Sequence, residues 1–212
     1  MQYNFKKSLF PLLLLSLFLS FSCNNNSNYY NGMVSSAHPI ASKIGLDILK
    51  NGGNAFDAAI AVHFALSVVY PNAGNIGGGG FLVYRLNNGD IGTLDFREKA
   101  PEKSYRDMYI DDIEGELKVD DKRSKIGHLA SGVPGSVDGM VKIYDKFSTI
   151  DWKTLLEPSI KVAREGFGVT EKQAKGLNNV KKSLVSANDH PIPFIKEDLS
   201  LIHISEPTRH SA

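Results

Sequence analysis

Few side chains in this sequence are of a type and spacing to do chemistry, and Arg97 stands first among them. It lies in Leu94-Asp95-Phe96-Arg97-Glu98. A guanidinium fork can grip a carboxylate through two parallel hydrogen bonds, a geometry that lysine cannot copy. It can equally close an ion pair with Asp95 or Glu98, and the residue types alone leave both roles open. The run Gly77-Gly78-Gly79-Gly80 invites comparison with a phosphate cradle, but the order is wrong. Phosphate loops run strand, glycine loop, helix. Here the glycines follow a helical pattern and precede a strand pattern, with no Gly-Lys-Ser/Thr. A tight crossing of backbones is expected instead, with positive φ open to each residue. Ser136 follows Pro134-Gly135 as a nucleophile-elbow serine would, but Gly139 falls one residue too late for Gly-x-Ser-x-Gly. A capping role is expected for it. His38, next to Pro39, is expected to cap a helix. His63 is expected to be a satisfied core or subunit-contact histidine, since no second ligand stands at metal spacing. No nucleophile is paired with a base, so no catalytic residue, metal site or cofactor is expected.

These candidates need elements to position them. Residues 81–86 and 91–96 read as two strands, and Asn88-Gly89 between them suits a two-residue hairpin turn. Pro101 stops the ladder. Arg97 then falls at a strand end, where a rigid scaffold can aim it. Before the hairpin, 33–36 reads as a short strand. A helix from Pro39 carries Ile40, Ile44, Ile48 and Leu49 on one face and stops at Asn51-Gly52-Gly53. Asn54 caps a second helix through Val69, with Asp57 in its positive first turn. That helix is apolar nearly all round, which implies close packing inside a larger body. After the hairpin, 107–125 mixes acidic and basic residues and reads as a solvated surface excursion. Residues 127–133 read as a strand. A helix over 137–147 carries Val137, Met140, Val141 and Tyr144 on one face. A further helix over 152–165 turns Leu155, Leu156, Ile160, Val162 and Ala163 inward, with a kink or second start at Pro158. Thr170 caps another, whose pattern weakens after Gly176.

Both ends are set apart from the fold. Residues 1–22 carry Lys6-Lys7 and then LFPLLLLSLFLSF, too short to span a bilayer, and read as a secretory signal peptide. Cys23, the sole cysteine, follows the apolar run as a lipidated cysteine would, and no internal disulfide can form. Residues 23–31 are asparagine-rich and suit a polar tether. Residues 199–212, LSLIHISEPTRHSA, read like a translated sequencing adapter and are expected to be non-native, leaving His203, Thr208 and His210 without function. Between these ends lies a segment long enough for one sizeable core. The charge is nearly balanced, 24 basic against 23 acidic residues, which gives no reason to expect a nucleic-acid partner.

Six motifs in order resemble the large-subunit half of the γ-glutamyltranspeptidases. They are Asn51-Gly52-Gly53-Asn54-Ala55-Phe56-Asp57-Ala58-Ala59, Gly77-Gly78-Gly79-Gly80-Phe81, Leu94-Asp95-Phe96-Arg97-Glu98 with Ala100-Pro101, Gly132-Val133-Pro134-Gly135-Ser136, Leu156-Glu157-Pro158-Ser159-Ile160, and Ala163-Arg164-Glu165-Gly166-Phe167. The resemblance implies an α/β (α+β) fold, part of the N-terminal-nucleophile hydrolase αββα sandwich, with 32–198 as a truncated large-subunit portion. It implies an exported glutathione hydrolase, in the periplasm or as an outer-membrane lipoprotein. Its substrates would be γ-glutamyl small molecules such as glutathione, with the glutamyl group passed to water or amino acids. Its partner would be its own small subunit after autocleavage; the lipobox-like Cys23 separately implies the membrane as a partner through a lipid anchor. The nucleophile would be a threonine freed by that cleavage, whose α-amino group can act as its base. None of Thr93, Thr149, Thr154, Thr170 or Thr208 sits in the processing motif, so this chain would be inactive alone. The one site residue carried over is Arg97, which would bind the α-carboxylate of the γ-glutamyl group. The alternatives are a related polyglutamate-processing or cephalosporin acylase-type enzyme, or a non-catalytic lipoprotein binding module.

Overall fold

The first helix starts where His38-Pro39 directs it. In the computed structural model, which describes residues 32–113, 116–119 and 122–188, α1 runs Pro39–Lys50, and His38 Nδ1 accepts from the Ile40 N–H at 3.2 Å. Ile44 and Ile48 are buried, with Ile40 and Leu49 packed at the margin. No strand forms over 33–36; the Ser36 hydroxyl instead meets the His38 carbonyl and Ser42, fixing the helix entry. α2, Ala55–Val69, is the hub. It packs against α1 and against two later helices, α3 (Ser136–Phe147) and α4 (Trp152–Glu165). Ala58, Ala61 and Ala65 are all buried, and their small size lets three helices approach one axis.

α2 is held at its N-terminus more firmly than a cap alone would hold it. Asn54 accepts from the Phe56 and Asp57 N–H groups, and Asp57 returns to the Asn54 N–H, a reciprocal capping box. The Asp57 carboxylate is fully buried. It also accepts from the Ser148 hydroxyl and from the Thr149 N–H and hydroxyl, at 3.1 and 2.6 Å for the latter two. Burial pushes the Asp57 pKa up, but these donors outweigh it and hold the group below the usual carboxylate range.

The hairpin forms as β1 (Phe81–Arg85) and β2 (Ile91–Asp95), antiparallel, in register from Phe81↔Asp95 to Arg85↔Ile91. Its turn is not the expected two-residue one. Leu86 still bonds Asp90, and the Gly89 N–H returns to the Leu86 carbonyl, so the loop is Asn87-Asn88-Gly89. Gly89 sits at φ 94°, the position that a three-residue hairpin loop reserves for glycine. One hairpin face, with Leu82, Tyr84 and Leu94, packs on the helices; Tyr84 joins Phe56 of α2 and Phe147 of α3 in an aromatic cluster. Phe81, Val83 and Ile91 on the other face are exposed.

Several expectations need correction. A second hairpin, β3 (Ile110–Ile113) and β4 (Glu116–Val119), forms inside the charged stretch, where Asp111 lies opposite Lys118 and pairs with Arg123 at 2.8 Å. Opposite charges across the ladder sustain strands that have little apolar alternation. Residues 127–133 make a 3-10 turn, His128–Ala130, because Gly127 adopts φ 91°; only Val133 pairs, with Lys99. α3 buries Ser136, Gly139, Met140 and Ile143, while Val137 and Val141 face outward. Its roll is set by the Phe96 ring, which lies on Gly139 where a Cβ would come within 2.3 Å. α4 runs unbroken through Pro158, pinned by buried Leu155 and Ser159, and Ile160 is exposed. The last helix, α5 (Glu171–Ser186), continues through Gly176. Its Thr170–Gln173 capping box is tied to α2 by Gln173 Nε2 on the Val69 carbonyl at 2.6 Å. The readings of residues 1–22, Cys23, 24–31 and 199–212 lie outside the described residues.

Candidate functional site

Three separated stretches meet at the exit of the hairpin: 78–80, 96–99 and 133–136. Phe96 continues the ladder by one step, its N–H bonding the Gly80 carbonyl at 3.0 Å. The Gly78 carbonyl accepts from both the Gly135 and Ser136 N–H groups, at 2.8 and 3.0 Å. Lys99 and Val133 exchange two backbone bonds. Gly79 lies against the Phe96–Glu98 backbone, and Gly80 against the Phe96 ring. A Cβ at Gly79 would stand 2.6 Å from the Phe96 carbonyl oxygen and 2.8 Å from Arg97 Cα. The expected tight crossing is therefore there, and it works by closeness alone, since none of Gly77 to Gly80 has positive φ.

Strand alternation sends Phe96 inward and Arg97 outward. The Arg97 N–H bonds Asp95 Oδ1 at 2.9 Å, which closes the strand end. Its Nε donates to Glu98 Oε2 at 2.9 Å, and its Cζ lies 5.7 Å from the centroid of the Phe81 ring. Both Nη groups are without a hydrogen-bond partner among the described residues. The side chain remains 60% exposed, so a ligand can reach it. Glu98 is held below the usual carboxylate range, first by its own backbone N–H and then by the Arg97 guanidinium, and is an anion at neutral pH. The arrangement is a cation fixed along one edge and open along another. The local ion pair with Glu98 forms, and the two Nη groups stay exposed beside it.

The other candidates fall away from this junction. Ser136 does not cap α3; Gly135 occupies that position without a side-chain bond, because its close approach to the Phe96 carbonyl sets the helix start one residue earlier. Among the described residues the buried Ser136 hydroxyl has no hydrogen-bond partner and no base, which suits no nucleophile. His38 caps as expected; burial lowers its pKa. His63 lies edge-on to Phe64, its Nε2 is buried without a hydrogen bond among the described residues, and burial lowers its pKa while a backbone contact with Asn75 opposes that. Thr149 is committed to Asp57. An apolar groove of about 510 Å³ lies elsewhere, between the starts of α1 and α5 and the end of α2, and shares no residue with the Arg97 junction. The Asp57 cluster escaped sequence reasoning: Asn54-x-x-Asp57 signals the capping box, but nothing local points to residues 148 and 149.

The mixed helix-and-strand body matches part of the N-terminal-nucleophile hydrolase fold. The chain belongs to the gamma-glutamyltranspeptidase family, whose family model matches residues 41–201. The glutathione hydrolase proenzyme of Escherichia coli K12 is 48% identical over 146 residues, 69% of this chain and 25% of that protein. The crystal structure of Helicobacter pylori gamma-glutamyltranspeptidase superposes with a TM-score of 0.77 at 41% identity, covering 83% of this chain and 50% of that one. The chain thus spans about a quarter of the length of the curated relatives it matches. A cephalosporin acylase from Bacillus halodurans shares the fold at 24% identity, and that likeness carries no more than the fold.

Proposed function

We propose that the full-length protein is an exported γ-glutamyltranspeptidase that cleaves γ-glutamyl amides such as glutathione and passes the glutamyl group to water or an amino acid. The supporting observation is the free Nη pair of Arg97 at the glycine-paved hairpin exit. A γ-glutamyl donor differs from a simple acyl donor in its free α-carboxylate, the group a guanidinium fork recognises. With that end anchored, the γ-carbonyl is held for attack by a threonine hydroxyl supplied by the small subunit after autocleavage. The hydroxyl proton passes to the threonine's own amine, the donor amine leaves protonated, and the acyl group goes on to water or an amino acid. The test compares two donors on the full-length protein. L-γ-glutamyl-p-nitroanilide should be turned over at least about thirty-fold more efficiently than 4-aminobutyryl-p-nitroanilide, which lacks the α-carboxylate. Equal efficiency would remove carboxylate recognition from the reading.

Residues 1–22 are proposed as the export signal, with Cys23 lipidated, 23–31 as tether, and 199–212 as non-native; the protein then sits in the periplasm or on the outer membrane. Support comes from the basic start, the apolar run and the single cysteine after it. Cys23→Ala should move the exported protein from the membrane pellet to the soluble fraction. Unchanged membrane association would count against the anchor.

A further inference from the structure

We infer that Phe81 is a positioning residue for Arg97, and that with Glu98 it restricts the bound carboxylate to the Nη1/Nη2 end of the guanidinium. The inference rests on Arg97 being the carboxylate-binding residue. Phe81 stands opposite Asp95 in the hairpin register, and Arg97 is two residues beyond Asp95. Alternation therefore puts all three on the outward face, with Phe81 and Arg97 as diagonal neighbours. The guanidinium carbon lies 5.7 Å from the centroid of the Phe81 ring, within the range where the negative ring face attracts a cation. Phe81 is 65% exposed, and the Arg97 side chain beside it is 60% exposed.

A planar fork offers a carboxylate two bidentate edges, Nε with one Nη, or the two Nη groups together. Glu98 Oε2 occupies Nε at 2.9 Å, which removes the first edge. A single hydrogen bond leaves the plane free to swing about it. The Phe81 ring, with its centroid 5.7 Å from the guanidinium carbon, attracts the cation and opposes that swing, which favours one direction for the second edge. Asp95 adds nothing to the plane, since it bonds the Arg97 backbone N–H. The carboxylate accordingly arrives end-on, at the Nη1/Nη2 edge.

The experiment uses the matured full-length protein and L-γ-glutamyl-p-nitroanilide. Phe81→Leu keeps an apolar side chain and removes the ring face; it should raise KM about five-fold while kcat stays within about two-fold. Phe81→Tyr restores the ring and should restore KM. In an Arg97→Ala background, Phe81→Leu should no longer change kcat/KM, because the group it positions is gone. A merely structural role would move the thermal midpoint and kcat, and would persist in that background. If Phe81→Leu fails to mature, Phe81→Trp carries the test: its stronger ring face should lower KM, and a rise overturns the proposal. An Arg97→Ala protein with unaltered KM sinks the reading of Arg97 and this inference together. A raised KM in Arg97→Ala with no effect of Phe81→Leu sinks the role of Phe81 alone.

Discussion

Arg97→Ala in the full-length protein is expected to raise KM for γ-glutamyl anilides by about a hundred-fold, with autocleavage of the precursor intact. A hydrogen bond to a charged group contributes about 1.5–3 kcal/mol, and the fork makes two of them. The α-carboxylate is remote from the bond that breaks, so its grip is the same in the ground and transition states. Such uniform binding appears in KM and leaves kcat largely untouched. Arg97→Lys should recover only a small part, because an ammonium retains the charge and loses the parallel bonds. The fold should survive both changes. The arginine side chain is largely exposed, and Phe96 is fixed by backbone bonds and by its ring on Gly139, not by its neighbour. Unchanged KM with normal maturation would take Arg97 out of the substrate site.

The largest stability effect is expected at Asp57. Asp57→Ala removes a buried carboxylate that accepts from the backbone of Asn54 and Thr149 and from the hydroxyls of Ser148 and Thr149. The orphaned donors are held in place by the remaining Asn54 side-chain cap and by the turn after α3, so they cannot readily turn to water. A cost of about 3–5 kcal/mol follows, a large share of the total stability of a domain. Chemical unfolding of wild type and variant at neutral pH measures it; a loss below about 1 kcal/mol would show that the cluster is dispensable. The same group sets an acid limit. Its folded pKa lies below the ordinary value of 3.8, so its contribution is complete above that pH and is lost as pH falls through the folded value. Asp57→Asn should flatten that part of the acid-unfolding curve while lowering stability at pH 7.

The Asp57 cluster shows how far the sequence could be read. Asn54 and Asp57 are three residues apart, and their spacing declares a capping box. Ser148 and Thr149 are about ninety residues further on, and no periodicity joins them to α2. The same division runs through the rest of the chain. His38-Pro39, Asn51-Gly52 and Thr170-x-x-Gln173 mark helix ends because capping is local. The buried face of α3 went unread because it depends on where Phe96 arrives from another element, and the rolled helix buries Gly139 in place of Val137. Pro158 signals a kink or a second start, since a local rule cannot weigh the burial of Leu155 and Ser159 on either side. The short strands around Asp111 and Lys118 carry no apolar alternation, so their pairing was hidden. At the candidate site, the hairpin and the exit position of Arg97 were legible, whereas the ring of Phe81 beside the guanidinium needed the strand register.

Phe96 and the arginine after it are hemmed in by glycines from two distant parts of the chain. A methyl group at Gly79, Gly80, Gly135 or Gly139 would collide with one or both of them. In a saturation screen scored by turnover, these four sites should tolerate substitution as poorly as a true contact residue. A map of intolerance would then outline a patch several times larger than the ligand footprint, most of it scaffold that never meets the donor.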